Sequence, residues 1–262
     1  MHDIHKSKAV VDLKLAENVA LGSNYALLTL RSKQTLPSIK AGQFAQVRID
    51  GSKETFLRRP ISICEAGADY VKLLVRRAGP GTDALIRTEV GSTVNCMLPL
   101  GNGWTLPADG GQELRLLLVG GGVGVAPLLA LGKELVGLGC RPEFLLGART
   151  ESDLLLLDEF RALGTVHLTT DDGSAGTHGV VTAHSRMSLP ADMVYCCGPA
   201  PMMKAVARAA ARLGVSCEVS LENVMACGLG ACLCCVEKTT RGNVCVCTEG
   251  PVFNTNKLLW QD

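Results

Sequence analysis

Short runs of alternating or apolar residues, separated by turn residues, occupy the first hundred positions of the chain. Six of these runs stand out, at about 10–15 and at 26–30, 44–49, 61–63, 70–75 and 93–97. Runs of this length bounded by Gly, Asn and Asp are typical of β-strands. A single helix-like segment, 82–89, interrupts them. The pattern predicts a small antiparallel β-barrel.

The pattern changes near residue 110, where apolar runs begin to alternate with segments of helical spacing. Strands are predicted at 114–119, 143–146, 166–169, 193–196 and 216–221, and helices at 125–138, 152–163 and 199–213. This alternation indicates βαβ units and a parallel sheet. We therefore expect a mixed fold with an N-terminal antiparallel β-barrel domain (1–104), a central α/β parallel-sheet domain (105–221) and a small cysteine-dense C-terminal module (222–262).

Composition narrows the classes of function. The 26 Lys and Arg residues nearly balance the 25 Asp and Glu residues, so neither a nucleic-acid partner nor a membrane partner is expected. The N-terminal segment lacks the apolar stretch of a secretory signal, and the longest uncharged run, 116–132, is shorter than the ~20 residues that span a bilayer. Twelve cysteines in 262 residues are too sparse for a disulfide scaffold. A cytoplasmic protein with reduced cysteines is predicted.

The strongest chemical signal is the run Cys227-Gly-Leu-Gly-Ala-Cys232-Leu-Cys-Cys235, followed at a distance by Cys247. This is the spacing of plant-type 2Fe–2S proteins, in which four thiolates complete the coordination of the irons and glycines let the loop wrap tightly. A structural zinc site also uses cysteine pairs two residues apart, and a set of buried thiols is a third interpretation. Cys234 and Cys245 are local rivals, so the spacing alone leaves the ligand set open.

Three weaker signals lie upstream. The glycines 120, 121, 122 and 124 follow a predicted strand and open a predicted helix, where backbone N–H groups can approach a phosphate. The acidic residue of the usual dinucleotide fingerprint is missing, since position 144 is Phe and only its neighbour Glu143 is acidic. Arg58 to Ser62 offer a guanidinium and a hydroxyl to a pyrophosphate or a flavin. Cys197-Gly198-Pro199 follows another strand, where open α/β sheets bind ligands.

Taken in this order, the motifs resemble the ferredoxin–NADP⁺ reductase superfamily. The cysteine-rich tail, followed by Glu249-Gly-Pro-Val-Phe253, is similar to one branch of it, the electron-transfer subunits of class 1B dihydroorotate dehydrogenase. The resemblance covers residues 8 to 255.

The resemblance implies roles for individual residues. It assigns FAD binding to two segments of the barrel: Arg59, Pro60, Ile61 and Ser62, then Leu74, Val75, Arg76, Gly81 and Thr82. At position 75 the family usually has an aromatic residue, and here it is Val. It assigns the pyridine nucleotide to two loops: Gly120, Gly121, Gly122 and Gly124, then Cys197, Gly198, Pro199 and Met202. It assigns the cluster to Cys227, Cys232, Cys235 and Cys247, because the fourth ligand of the family directly precedes the acidic Gly-Pro-Val-Phe segment.

The function that the resemblance implies is electron transfer. The chain would be an oxidoreductase subunit of pyrimidine biosynthesis that connects NAD, through FAD and a 2Fe–2S cluster, to an FMN-containing catalytic subunit, with two copies of each chain. No catalytic base for an organic substrate is evident. Apolar residues of the tail available for the partner are Leu229, Leu233, Val252 and Phe253.

Several alternatives stay open at this point. The chain could serve a ferredoxin- or sulfide-linked oxidoreductase, act alone as a flavin or ferredoxin reductase, or be a zinc-stabilised interaction module. NAD rather than NADP is expected, because Arg149 is the single nearby cation and Glu151 and Asp153 follow it.

Overall fold

The computed structural model describes residues 8–50, 52–108 and 111–260, and its N-terminal part is a closed antiparallel barrel. The strand order around the barrel is β1-β2-β5-β4-β3-β6. Helix α1 (Pro80–Ile86) lies between β5 and β6. The six barrel strands are β1 (Ala9–Leu21), β2 (Tyr25–Arg31), β3 (Phe44–Val47), β4 (Arg59–Ala66), β5 (Tyr70–Arg76) and β6 (Thr93–Leu100). The predicted barrel is confirmed.

The second part is a sheet of order β10-β9-β8-β7-β11-β12-β15, in which β7 to β12 are parallel. Because β8 and β11 flank β7 on opposite sides, the crevice at the carboxyl ends of β7 and β11 is the switch point where such sheets bind ligands. The elements are β7 (Leu116–Gly121), α2 (Val125–Gly137), β8 (Glu143–Ala148), α3 (Leu157–Arg161), β9 (Thr165–Thr170), β10 (Thr177–His178), β11 (Met193–Cys197), α4 (Ala200–Arg212) and β12 (Ser216–Ser220).

The long helix predicted at 152–163 is wrong. A 3-10 turn covers Glu151–Asp153, and α3 is only five residues long. Leu156 between them has a φ of 56°, in the left-handed region that ends a regular helix. Leu155 and Leu156 are buried in the core around α2. The apolar side chains of this segment are therefore buried by an irregular turn.

The tail joins the sheet rather than standing apart from it. It contains β13 (Val236–Thr239), β14 (Gly242–Cys245), α5 (Val246–Glu249) and β15 (Val252–Asn254), and β15 pairs antiparallel with β12. Val252 and Phe253 are consequently buried, so their predicted availability to a partner is wrong. Cys245 ends β14 while Cys247 lies in α5, so the two do not share one strand face.

The division at 104/105 and 221/222 stays a prediction, as does the cytoplasmic location. In the part of the chain that the structure describes, no helix is long and apolar enough to cross a membrane.

A buried polar clamp fixes the barrel to the sheet. Glu218 on β12 accepts hydrogen bonds from the Thr105 amide at 3.0 Å and from its hydroxyl at 2.6 Å. The Tyr195 hydroxyl on β11 donates to the Thr105 carbonyl at 2.8 Å, and the Tyr195 ring meets Trp104 edge to face. Each bond satisfies a group that would otherwise be buried without a partner, so the segment after β6 is held in one position.

Glu65 on β4 makes a second link, to Lys133 on α2. Burial alone would raise the pKa of Glu65, but hydrogen bonds from Lys133 and Tyr70 outweigh it and hold that pKa at about 2. A depressed carboxyl pKa stabilises the folded chain above the unfolded value of 4.5, and this contribution is lost as the pH falls toward about 2.

We expect Glu65→Gln to lower the free energy of unfolding by about 1–2 kcal/mol at pH 7, after allowance for solvent screening. The difference from the unaltered chain should shrink between pH 4.5 and about 2. Urea unfolding at a series of pH values measures it. A difference that does not depend on pH would contradict the expectation.

Candidate functional site

Two cavities open between the barrel and the sheet, and Arg76 lines both. The smaller one, of about 220 Å³, is lined by residues from the barrel, the glycine loop and the start of the tail: Pro60, Ile61, Ser62, Leu74, Val123, Ala126, Glu222, Asn223 and Met225 among them. The larger one, of about 650 Å³, lies over the carboxyl edge of the sheet and suits a ligand of dinucleotide size. A group bound in one cavity therefore adjoins a group bound in the other.

Strand alternation decides which predicted FAD residues face the smaller cavity. Leu74 and Arg76 line it, whereas Val75 between them is fully buried in the barrel core. The Val75 side chain therefore points away from the cavity, because successive residues of a strand point to opposite faces, and the assignment of Val75 to FAD binding stays a prediction. On β4, Pro60, Ile61 and Ser62 all contribute to the cavity wall.

Arg59, Gly81 and Thr82 do not line either cavity, although Pro60, the neighbour of Arg59, lines the smaller one. A Cβ on Gly81 would lie 3.0 Å from the Arg59 Nε, so glycine lets α1 approach the guanidinium. The Thr82 hydroxyl accepts from the amides of Ala78 at 2.8 Å and Gly79 at 3.2 Å, and so caps its own helix. The cation and the helix start lie where the resemblance places a pyrophosphate.

The four predicted loop glycines have different surroundings. Gly121 and Gly122 line the larger cavity, and nothing lies within 4 Å of a Cβ placed on Gly122. A Cβ on Gly124 would lie 2.6 Å from the Cys197 carbonyl oxygen, and one on Gly120 would lie 3.0 Å from Val125. Gly120 and Gly124 thus serve the close packing of α2 on the sheet, and the other two face the ligand space.

At the end of β11, Cys197 contacts a carboxyl group that the sequence analysis missed. Its thiol is buried and donates to Glu222 Oε1 at 4.0 Å. Burial raises the pKa of Cys197 well above its usual value and also raises the pKa of Glu222. Glu222 lines the smaller cavity. Its signal in the sequence is its position two residues after the end of β12, at the carboxyl edge of the parallel sheet.

The rest of the Cys-Gly-Pro motif faces the larger cavity. Pro199 and Met202 line it, and a Cβ on Gly198 would lie 2.6 Å from the Met202 Cε. Glycine at 198 therefore allows Met202 to pack over the loop.

The charged residues of the larger cavity affect the preference between NAD and NADP. Arg149 Nε lies 3.7 Å from Asp153 Oδ2, and Asp153 and Asp171 both line the cavity. Arg76 and Arg77 line it too, so Arg149 is not the single cation nearby as the sequence suggested. Glu143 is absent from the lining, because it begins β8 at the opposite edge and is bound by Arg186 at 2.7 Å.

We expect NADH to be preferred over NADPH by roughly 10- to 100-fold in catalytic efficiency, because Arg149 is already paired with Asp153 and Arg77 with Asp83, so neither cation is left for an extra phosphate. Steady-state kinetics with an artificial acceptor measures the ratio, and Asp153→Asn should reduce it. Equal efficiencies for the two nucleotides in the unaltered chain would contradict the expectation.

The cysteine loop directs main-chain N–H groups at sulfur atoms. The Leu229 amide lies 3.3 Å from Cys227 Sγ, the Gly230 amide 3.2 Å from Cys247 Sγ, and the Cys247 amide 3.4 Å from Cys235 Sγ. Hydrogen bonds from Leu229 and Cys232 lower the pKa of the Cys227 thiol to about 6. Such donors favour thiolates, which is the form that binds iron.

The six cysteines of the tail differ in position. Cys227 contacts Cys232, and Cys235 contacts both Cys245 and Cys247, so five of them gather around one loop. Cys232 and Cys234 are exposed. Among the described residues, no three His, Cys, Asp or Glu side chains are placed to hold a single metal ion. Four thiolates at the plant-type spacing suit a two-iron cluster, and the predicted ligand set stays a prediction.

Cys245 is the local rival of Cys247 for the fourth position. Its thiol lies 3.8 Å from the Gly230 carbonyl oxygen, to which it donates. Cys247 instead receives the Gly230 N–H and is almost fully buried. The Cys247 sulfur therefore accepts a hydrogen bond from the Gly230 amide, whereas the Cys245 thiol donates one to the Gly230 carbonyl oxygen.

This chain resembles known proteins in an iron-sulfur domain and an NAD-binding domain. Residues 222–259 match the iron-sulfur cluster binding domain of dihydroorotate dehydrogenase B, and residues 118–208 match the oxidoreductase NAD-binding domain. The dihydroorotate dehydrogenase B (NAD⁺) electron transfer subunit of Shouchella clausii is 42% identical over 83% of this chain and 86% of its own length. That of Fusobacterium nucleatum is 36% identical over 93% and 96%.

Solved structures share the fold. An NADH-dependent reduced ferredoxin–NADP oxidoreductase superposes with a TM-score of 0.84 at 29% identity, covering 97% of this chain and 91% of that one. The ferredoxin reductase of carbazole 1,9a-dioxygenase gives 0.68 at 20% identity over 79% and 66%, which is a likeness of fold alone. The predicted fold class is confirmed. The extent and level of these similarities show that the chain belongs to the family of dihydroorotate dehydrogenase B (NAD⁺) electron-transfer subunits.

Proposed function

We propose that this chain is the electron-transfer subunit of an NAD-dependent dihydroorotate dehydrogenase in pyrimidine biosynthesis. It links oxidation of dihydroorotate on a catalytic partner subunit to reduction of NAD⁺. FAD, when bound, exchanges electrons singly or in pairs and so matches a one-electron 2Fe–2S cluster to a two-electron nicotinamide. The partner carries FMN, and the assembly contains two copies of each chain.

The observation that carries this proposal is the path of the segment that follows β12. Glu222, Asn223 and Met225 line the smaller cavity, and Cys227 of the cluster loop follows two residues later. Pro251, which comes after Cys247, lines the same cavity. The flavin cavity and the cysteine loop therefore share one stretch of backbone, which supports close spacing of the two redox groups.

The side chains of the site bind and orient their ligands. Arg59 and the start of α1 stabilise the negative charge of a pyrophosphate, while Ser62 and Leu74 present a hydroxyl and an apolar surface to a ring. Gly122 leaves open space for a nicotinamide nucleotide beside Arg76. The buried Cys197 thiol donates to Glu222, which lines the smaller cavity.

The alternatives are less well supported. A ferredoxin-linked role is represented by the solved oxidoreductase at 29% identity, whereas the dihydroorotate dehydrogenase subunits reach 42%. A zinc-stabilised interaction module would not need a flavin cavity, and the cysteine segment matches an iron-sulfur domain.

Reconstitution with a catalytic subunit tests the proposal. The isolated chain should oxidise NADH with an artificial acceptor and leave dihydroorotate unchanged, because the proposal assigns oxidation of dihydroorotate to the catalytic subunit. Addition of the FMN subunit should give a stable complex and NAD⁺-linked orotate formation. Orotate formation by the isolated chain, or the lack of a complex, would refute it.

The exposed apolar residues around the cysteine loop are the surface that we assign to the partner. Val224, Leu229 and Leu233 are 78%, 49% and 65% exposed, on the same short segment as the first three predicted ligands. Apolar residues at the centre of an interface commonly contribute most of its binding energy.

We therefore expect Leu233→Glu to weaken the complex by roughly 30-fold or more, as for a central interface residue. Leu189→Glu is the control, since Leu189 is 53% exposed but precedes β11 at the opposite edge of the sheet. Surface plasmon resonance against the catalytic subunit measures both. Equal losses from the two variants, or none, would contradict the assignment.

A further inference from the structure

Gln46 is a buried polar residue whose side chain has no hydrogen bond. It lies on β3 with no exposed surface, and both its Nε2 and its Oε1 lack a partner among the residues that the structure describes. Buried amides nearly always have partners, so a fully buried amide with two unpaired atoms requires an explanation.

The residue faces the cysteine loop rather than the barrel core. Ala45 and Val47 belong to the barrel core, so by strand alternation Phe44 and Gln46 point outward. Phe44 packs in the cluster that contains Cys235 and Cys247. A Cβ on Gly228 would lie 2.9 Å from Gln46 Cγ and 3.3 Å from Nε2. The amide is therefore packed against the residue that follows Cys227.

Gln43, three residues earlier, is a buried glutamine whose side-chain amide has hydrogen-bond partners for both its oxygen and its nitrogen. Its Oε1 accepts from the Lys40 amide at 2.8 Å, and its Nε2 donates to the Gly101 carbonyl at 2.8 Å. The fold thus satisfies one buried glutamine completely and leaves its neighbour on the tail side with both groups free.

We propose that the Gln46 amide is a positioning residue of the 2Fe–2S site and donates an N–H to a sulfur atom on the Cys227 side of the cluster. The inference rests on the proposed function, because it requires the cluster. Both amide atoms are unpaired, so the NH₂ group is free in either orientation of the side chain.

The chemistry of the loop supports this assignment. Main-chain N–H groups of Leu229 and Gly230 already point at Cys227 and Cys247 from within the loop. Gln46 reaches the loop from the barrel and would add a donor from a different direction. One-electron reduction increases the negative charge on the cluster, and a donor to sulfur stabilises the reduced form and raises its potential.

The conformation and packing of Gly228 also support a role for Gln46 at the cysteine loop. Gly228 has a φ of +72°, and any side chain there would strike Gln46 and Leu100. Glycine at this position lets the loop pack against β3, so the Gln46 amide lies directly against the residue that follows Cys227.

Potentiometric titration of the cofactor-loaded chain, followed by electron paramagnetic resonance, tests the proposal. Gln46→Met keeps a similar length and removes the donor, so the cluster should retain its iron and its midpoint potential should become more negative. Gln43→Met is the matched control: it breaks two hydrogen bonds of a buried glutamine and should leave the cluster potential unchanged. A Gln46→Met potential equal to that of the unaltered chain would overturn the assignment.

A second measurement uses the unaltered chain and does not depend on how the variant folds. With ¹⁵N placed in the glutamine side chains, the reduced cluster should show a weak hyperfine coupling to an amide nitrogen. Absence of that coupling would overturn the assignment.

These outcomes separate the two proposals. A chain that binds no iron overturns both, whereas an iron-loaded chain without the coupling overturns only the role of Gln46. A chain that shows the coupling but forms no orotate with the catalytic subunit overturns only the proposed function.

Discussion

Serine at any one of Cys227, Cys232, Cys235 and Cys247 is expected to reduce the iron content of the purified chain to less than about a tenth, because one of the two irons loses a thiolate ligand. Serine at Cys234 should leave the iron in place, because Cys234 falls outside the plant-type spacing. FAD should stay bound in all of these variants, because the smaller cavity has no cysteine in its lining.

Cys245→Ser is the decisive comparison for the fourth ligand. The Cys245 thiol donates to the Gly230 carbonyl oxygen, whereas the Cys247 sulfur accepts the Gly230 N–H. Iron and acid-labile sulfide assays on the six variants measure the result. Loss of the cluster in Cys245→Ser together with its retention in Cys247→Ser would contradict the assignment.

Arg59→Ala is expected to weaken FAD binding by about 30- to 150-fold, which corresponds to ~2–3 kcal/mol for a charge-assisted contact to a phosphate. The guanidinium adjoins Gly81 at the start of α1, where the phosphates are expected. Equilibrium dialysis of the apoprotein against FAD measures the affinity.

Arg58→Ala is the matched control. Arg58 donates to the carbonyls of Gln46 and Asn95 at 3.1 Å each and so belongs to the barrel wall. This variant should lose stability and keep its FAD affinity. Stoichiometric FAD after dialysis of Arg59→Ala, or an equal loss of affinity in Arg58→Ala, would contradict the prediction.

Much of the fold could be predicted because local pattern and tertiary structure agree. Alternating runs became the barrel strands, and the glycine loop after β7 lies at the switch point that its position implied. The helix predicted at 152–163 failed because its leucines are buried by a left-handed turn, and burial overrode helical periodicity.

The errors at the site share another cause, which is that a motif does not state where each side chain points. Val75 lies inside the FAD motif but faces the barrel core. Arg58 and Arg59 are adjacent in sequence, and only the structure shows that Arg58 binds the barrel wall while Arg59 lies beside the start of α1. Val252 and Phe253 looked available to a partner until β15 joined the sheet. Glu222 has no motif of its own, and its role comes from long-range packing against Cys197.

We propose that one chain connects a pyridine nucleotide to a 2Fe–2S cluster through a flavin bound between them. In an anaerobic titration of the cofactor-loaded chain with NADH, absorbance follows the flavin and electron paramagnetic resonance follows the cluster. We expect flavin bleaching together with a 2Fe–2S signal from the same chains, without any mediator. Flavin bleaching by NADH with a cluster that stays oxidised, and that dithionite alone reduces, would contradict it.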